Sequence, residues 1–262
     1  MDEEELQLSG GNVSTVVRAG NTVRRTMGPW NPAVHELLRH LESQGFSGAP
    51  RFLGIDERGR EVLTFIDGEI GNYPLKVYMW SDEVLQGVAR LLRRFHDATV
   101  AFVPSPGATW QFEYPDATQH KVICHNDVAP YNMVYVDGRP AALIDFDTAG
   151  PGPRLWDVTH AAYRFVPLLH IDNDVMRQAG LTNPAMQARR LKLFCSAYDL
   201  AQPRAVLDML ESRLQAMRTT IIESAASGNA SFQRMLAEGH LQHYQREIEA
   251  LYRHRGALEQ AL

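Results

Sequence analysis

The segment Ile123-Cys-His-Asn-Asp-Val-Ala-Pro-Tyr-Asn132, followed by Leu143-Ile-Asp-Phe-Asp147, concentrates the residue types that can do chemistry. It supplies His-x-Asp-x-x-x-x-Asn and then, at a short hairpin's distance, a second acidic site leaving an apolar run. Phosphoryl transfer asks little covalent work of a protein. It asks for a carboxylate beside the acceptor hydroxyl and for hard oxygen ligands to Mg2+. In this reading Asp127 faces the acceptor as base, while Asn132 and Asp145 converge on the metal. A competing reading makes His125 and Asp127 turn caps and leaves Asp145 and Asp147 as ordinary strand-end acids. The triplet alone does not separate the two. The run Ala141-Ala-Leu-Ile144 ending in Asp-Phe-Asp is harder to obtain by accident and favours the chemical reading.

Such residues need a scaffold, and 262 residues of 45% hydrophobic content suffice for a full core in one or two lobes. The two cysteines, Cys124 and Cys195, suit neither a zinc site nor a disulfide framework, so a reducing compartment is expected. Met1 to Leu8 is acidic and lacks an apolar centre, unlike a signal or transit peptide. No apolar run is long enough to span a bilayer. The expectation is a cytoplasmic chain with no membrane partner. A net charge of -5 argues against nucleic acid as a partner, leaving a small molecule.

Up to about Asp67 the pattern reads β-β-α-β-β. Val13 to Arg18 and Thr22 to Arg25 form a hairpin through Gly20-Asn21, because glycine supplies the positive φ of a tight turn. Pro32 opens a helix with Val34, Leu37, Leu38 and Leu41 on one face, and Gly45 stops it. Strands follow at 50–54 and 61–66. Ser81 caps a second helix carrying Val84, Leu85, Val88, Leu91, Leu92 and Phe95. Residues 103–119 read as an ordered loop, its Trp110, Phe112 and Tyr114 being too apolar for a disordered linker. Short strands at 121–124, 133–136 and 141–144 surround a turn at Asp137-Gly138, and beyond Trp156 the chain reads helical, with breaks near Asn183-Pro184, Gln202-Pro203 and Gly228-Asn229.

With His125, Asp127, Asn132 and Asp145 in this order, the chain resembles the aminoglycoside phosphotransferase and choline kinase-like family, relatives of protein kinases. The resemblance is most specific from His125 to Asp157 and implies an α+β, two-lobed protein-kinase-like fold. A small β-rich N-lobe would span residues 1–67 and a larger, mostly helical C-lobe residues 68–262. It implies a kinase that moves the γ-phosphate of Mg-bound ATP or GTP to a hydroxyl of a small-molecule acceptor. Asp127 would be the catalytic base, Asn132 the catalytic-loop metal ligand and Asp145 the principal Mg2+ ligand. His125 would support the loop, Asp147 stands where protein kinases carry glycine, and Asp157 would cap the following helix and brace the loop.

On the nucleotide side, the turn Ser9-Gly10-Gly11-Asn12-Val13-Ser14 would cover the triphosphate, with Gly11 admitting close approach and Ser14 offering a hydroxyl. Relatives carry a clamping Lys on the third strand, but the only lysines here are Lys76, Lys121 and Lys192. The cation would then be Arg24 or Arg25. Strand alternation turns one inward, and the resemblance favours Arg24. Glu36 is the acid near the helix start, although Val34 or His35 aligns with the family's glutamate. The adenine would meet backbone near Thr64-Phe-Ile-Asp67, with Phe65 and Ile66 beside it. Acceptor-lining candidates are Trp110, Phe112, Tyr114, Tyr131, Trp156, Tyr163 and Arg164; the helical tail, with about as many Arg as acids, weighs against a polycationic acceptor, the loop aromatics keep choline-like or thiamine-like substrates open, and the sequence does not separate these. His96 is expected as a buried helix-end histidine. The alternative from a different class is a pseudokinase, a nucleotide- or partner-binding module on the same fold.

Overall fold

The computed structural model describes residues 5–7, 16–169 and 180–262. The chain divides into two compact units, Met1–Asp157 and Val158–Leu262.

The first unit begins with an antiparallel five-stranded sheet in the order β1-β2-β3-β5-β4, built from β1 (Glu5–Gln7), β2 (Val16–Ala19), β3 (Thr22–Arg25), β4 (Phe52–Ile55) and β5 (Glu61–Thr64). The hairpin between β2 and β3 turns at Gly20, whose φ of 56° is the left-handed value that glycine adopts without strain. The sequence pattern showed four of these strands. β1 is exposed along its whole length, so no alternation marked it, and it is fixed by pairing with β2. Register decides what β3 presents: Arg25 lies directly across from Glu61, and Arg24 across from Val62.

Helix α1 (Asn31–Ser43) starts at Pro32 and buries Val34, Leu37, Leu38 and Leu41, as its spacing demands. Helix α2 (Asp82–Thr99) is capped by Ser81, whose Oγ accepts from the Val84 amide at 3.2 Å. Its face of Val84, Leu85, Val88, Leu91, Leu92 and Phe95 is fully buried. Burial of a side chain such as Phe95 contributes about 1.5–3 kcal/mol.

Three short ladders complete this unit. β7 (Val122–Cys124) pairs with β10 (Gly150–Gly152), and β6 (Glu69–Ile70) pairs with β8 (Met133–Val136), which pairs in turn with β9 (Arg139–Leu143). The tight turn between β8 and β9 has positive φ at both Asp137 (48°) and Gly138 (72°), as the sequence reading required. The 103–119 segment is irregular but ordered, and Trp110 packs edge-on against Phe102. A Cβ on Gly150 would stand 1.7 Å from the Phe112 carbonyl oxygen, so only glycine allows the loop to lie this close to β10.

Helix α3 (Arg154–Phe165) follows, and the second unit continues through α4 (Pro184–Tyr198), α5 (Arg204–Ala226), α6 (Ala230–Ala237) and α7 (His240–Ala261). The breaks fall where the sequence placed them: Asn183 caps α4, accepting from the Ala185 amide at 2.8 Å, and Asn229 caps α6, accepting from the Ser231 amide at 3.1 Å. Both cysteines are free and buried. Among the described residues no helix is long and apolar enough to cross a membrane.

Candidate active site

β7 carries the chain into His125, and a backbone bond from the Ile144 amide to the Asn132 carbonyl (3.0 Å) brings the end of β9 beside the loop that follows. Asn132 therefore lies next to the segment bearing Asp145 and Asp147. Its Nδ2 donates to the Asp127 carboxylate at 2.8 Å and to the Asp127 carbonyl at 3.0 Å. That commits the nitrogen and turns the amide oxygen outward from Asp127. The other Asp127 oxygen accepts from the Tyr131 hydroxyl at 2.8 Å. The half-buried Asp127 is thus held by two neighbours on its own loop.

Two residues near this site adopt left-handed backbone: Asn126 (φ 67°) and Asp145 (φ 64°). For non-glycine residues this conformation costs on the order of 1–2 kcal/mol. The surrounding bonds explain how Asn126 is held. Its amide donates to Asp157 at 3.0 Å and its side chain to the Thr148 carbonyl at 2.9 Å, while the His125 amide donates to the second Asp157 oxygen at 2.7 Å. His96 Nε2 reaches Asp157 at 3.1 Å. Asp157 is wholly buried; burial alone would raise its pKa, but His96 and the loop amides outweigh this and leave it below the usual carboxylate value. Burial lowers the pKa of His96, with Asp157 opposing. Asp157 is a loop brace, as expected. It is not the helix cap, because α3 already begins at Arg154.

Among the described residues, His96, Cys124 and Asp157 form the one cluster of three His, Cys, Asp or Glu side chains close enough to share a metal ion. Asp157 is already committed to two amides and a histidine, so the cluster serves as a structural knot. His125 is also fully buried: its Nε2 meets the Ile144 carbonyl at 3.0 Å and its ring packs 4.7 Å from Phe146. It positions the loop and is not a group that reactants can touch.

Of the two arginines it is Arg25 that reaches the acids, where the resemblance favoured Arg24. Arg25 lies on the inward face of β3 and is 7% exposed, whereas Arg24 points to the other face, its Nε 3.9 Å from Asp56. The Arg25 guanidinium engages three acids. Its Nε donates to Glu61 at 2.8 Å, NH1 to Asp145 at 2.8 Å and NH2 to Asp147 at 2.7 Å. Burial would lower the Arg25 pKa, but Asp147, Asp145 and Glu61 raise it well above the usual value. Asp147 is pushed up to about 6, first by burial and then by the charges of Asp145 and Glu61, with Arg25 opposing.

Glu36 does not join this group. Its carboxylate accepts from the Ser105 amide at 3.0 Å. The residue of α1 that faces inward is His35, whose Nε2 lies 2.8 Å from Glu61. Glu61 was missed as a site residue, since the pairing that unites it with Arg25 crosses the sheet, and His35 had been named only as one of two residues aligning with the family's helix glutamate. The signal of Glu61 in the sequence was an acid opening an otherwise apolar strand.

Asp145, Asp147 and the Asn132 amide oxygen are all hard oxygen donors, and this set suits Mg2+ better than a soft-ligand metal. Asp145 is half exposed, which leaves its carboxylate accessible.

Phe65 and Ile66 follow β5. The Phe65 amide donates to the Asn21 carbonyl at 2.8 Å, and the Arg18 guanidinium lies 3.7 Å above its ring. Ile66 lines a cavity of about 340 Å³ with Glu42, Gly45, Phe46, Ser47, Ala49, Arg51 and Thr64. None of Glu61, Asp127, Asp145 and Asp147 lines this cavity, whose one acid is Glu42. Gly11 and Ser14, with the rest of their turn, lie outside the described residues. Of the acceptor-lining candidates, Tyr131 touches the Asp127 carboxylate. Trp110 and Trp156 are buried in the first unit, Tyr114 packing against Trp156 at 5.0 Å, and in the second unit Tyr163 is buried with Arg164 5.7 Å from its ring.

Known proteins resemble the chain over this stretch and beyond. A family model described as a phosphotransferase enzyme family matches residues 106–191, the stretch holding Asp127, Asn132, Asp145 and Asp157. The trifolitoxin immunity protein of Rhizobium leguminosarum bv. trifolii is 37% identical over 203 residues, covering 76% of each chain. The chain belongs to the phosphotransferase enzyme family. Among solved structures, the amicoumacin kinase hAmiN in complex with AMP-PNP, Ca2+ and Ami has a TM-score of 0.66 at 14% identity, covering 95% of this chain and 89% of that one. The ADP-bound aminoglycoside phosphotransferase APH(2'')-Ib has a TM-score of 0.61 at 15% identity, covering 96% and 95%. At these identities the likeness shows the fold. This phosphotransferase has the protein-kinase-like α+β fold of the aminoglycoside phosphotransferase and choline kinase type.

Proposed function

We propose that this phosphotransferase moves the γ-phosphoryl group of ATP or GTP onto a hydroxyl of a small molecule, with Asp127 as the base. The observation that carries the reading is the half-buried Asp127 carboxylate, fixed by Asn132 and Tyr131 on a loop that Asp157 braces.

In the reaction the acceptor oxygen forms a bond to the γ-phosphorus as the bond to the bridging oxygen breaks. The hydroxyl proton passes to Asp127, and the nucleoside diphosphate leaves with the bridging electron pair. A positioned base of this kind contributes about 10²–10⁴-fold. Asn132 serves twice: its Nδ2 keeps the Asp127 carboxylate oriented, and its oxygen is offered to the metal. Asn132 and Asp145 would hold Mg2+, which when bound supplies neutralisation of the phosphate charge. Arg25 binds phosphate oxygens through the edge that now meets Asp145 and Asp147, and backbone around Phe65 and Ile66 receives the base.

The pseudokinase alternative rested on the absent lysine and an uncertain helix glutamate. The buried Arg25–Glu61 pair favours a working phosphate clamp instead. The test is a screen of sugars, aminoglycosides, amino alcohols and vitamin alcohols for acceptor-stimulated diphosphate release. Trifolitoxin joins the panel because a relative is named for immunity to it. Release that rises with one acceptor and yields its phosphorylated form supports transfer. Nucleotide binding with no turnover across the panel favours the binding module.

A further inference from the structure

We propose that Glu61 and His35 are positioning residues for the nucleotide phosphates: a strand-borne carboxylate, locked by a helix histidine, holds the phosphate-binding edge of Arg25 in place. This rests on the proposed nucleotide-dependent phosphotransfer and names the residues that set its nucleotide affinity.

The guanidinium has two usable edges. Nε and NH2 both reach one oxygen of Glu61, at 2.8 and 2.6 Å. NH1 and the outer side of NH2 meet Asp145 and Asp147. The first edge faces the sheet and the second faces the catalytic acids, so Glu61 anchors while the outer edge changes partner when phosphate arrives.

Glu61 can do nothing else. Its side chain is 0% exposed, and its other oxygen is taken by His35 at 2.8 Å. No metal or substrate reaches it. Burial alone would raise its pKa, yet the bonds from His35 and Arg25 hold it low, so Glu61 is an anion in the core. An ionised Glu61 requires the proton on His35 Nε2. The His35 ring cannot swing away, because it stacks on Phe52 with centroids 3.7 Å apart and 18° between planes. Helix α1 therefore reaches the clamp through a ring N–H in place of a direct carboxylate. A planar guanidinium keeps its geometry only when one edge is fixed, which makes the lock a determinant of phosphate grip more than of fold.

The experiment measures Kd for Mg-ATP and for adenosine, by calorimetry without acceptor, in the intact chain and in Glu61→Gln, His35→Leu and His35→Gln. Glu61→Gln should weaken Mg-ATP about 10–100-fold, the range of hydrogen bonds to charged groups, and leave adenosine unchanged. His35→Leu should weaken Mg-ATP about 3–10-fold, and His35→Gln, which keeps a donor at that reach, should restore it. If Glu61→Gln does not fold, the two His35 variants decide the matter by the same ratio. Equal weakening of Mg-ATP and adenosine, or no change in either, overturns the inference. An intact chain that binds neither Mg-ATP nor Mg-GTP overturns the phosphotransfer reading itself, a result recognisable before any variant is made.

Discussion

The two halves of the site are held by different kinds of force. Around Asp127 the loop is fixed by directed hydrogen bonds: two from backbone amides to Asp157, one from the Thr148 hydroxyl to the His125 carbonyl, and one from the Ile144 amide to the Asn132 carbonyl. Around Arg25 the contacts are between ionisable side chains, with three carboxylates and a histidine converging on one guanidinium and its anchor. Amides do not titrate, and their directed bonds hold the loop in one geometry. An ion cluster can trade one anion for another at small cost, provided the total charge is matched. Under the proposed phosphotransfer this is a division of labour: the base must not move, and the cation must be able to change hands.

Four substitutions would break or sharpen this contrast. The largest effect is expected at the loop's chemical end. Asp127→Asn keeps the partners' geometry but loses the proton acceptor, so turnover should drop about 10²–10⁴-fold with Kd for Mg-ATP unchanged; retained turnover would remove Asp127 from its role. Next comes the brace. Asp157→Ala strands two buried amides and a histidine, and thermal unfolding should show a loss of about 3 kcal/mol or more.

On the clamp side the expected effects are smaller. Arg25→Lys keeps the charge but loses the second edge, and Kd for Mg-ATP should rise on the order of tenfold, with melting temperature altered little. The smallest effect is a pH dependence in the brace. His96 has a folded pKa below its unfolded value near 6.5, so the unfolded chain takes up the proton first. Its contribution is complete above that value and is lost as pH falls through the window beneath it. His96→Gln removes this acid sensitivity: its melting temperature relative to wild type should improve between pH 7.5 and 5, and a difference constant with pH would contradict the assignment.

How much could be read in advance follows from the same contrast. Asp127 and Asn132 lie on one loop, so their spacing already carries the bond between them, and the hairpin after Asn132 returns the segment of Asp145 beside that loop. Helices α1 and α2 were legible because apolar spacing, Pro32 and Ser81 are local signals. The choice between Arg24 and Arg25 was not local. It depends on which face of β3 lies opposite Glu61, a register set by β5 more than thirty residues downstream. His35 could be named only as one of two residues aligning with the helix glutamate of relatives, since its contact with Glu61 exists only once α1 packs near that strand. β1 escaped because an exposed edge strand has no buried face to alternate.

The choice of guanidinium over amine also changes how the protein answers chemical reagents. Acylating probes that seek a lysine beside nucleotide phosphates have no target at position 25, and the first lysine of the sequence is Lys76. Dicarbonyl reagents that condense with arginine have one, guarded by the acids around it and, once occupied, by the nucleotide. A survey of cellular nucleotide-binding proteins by amine labelling at this position would therefore pass this chain over.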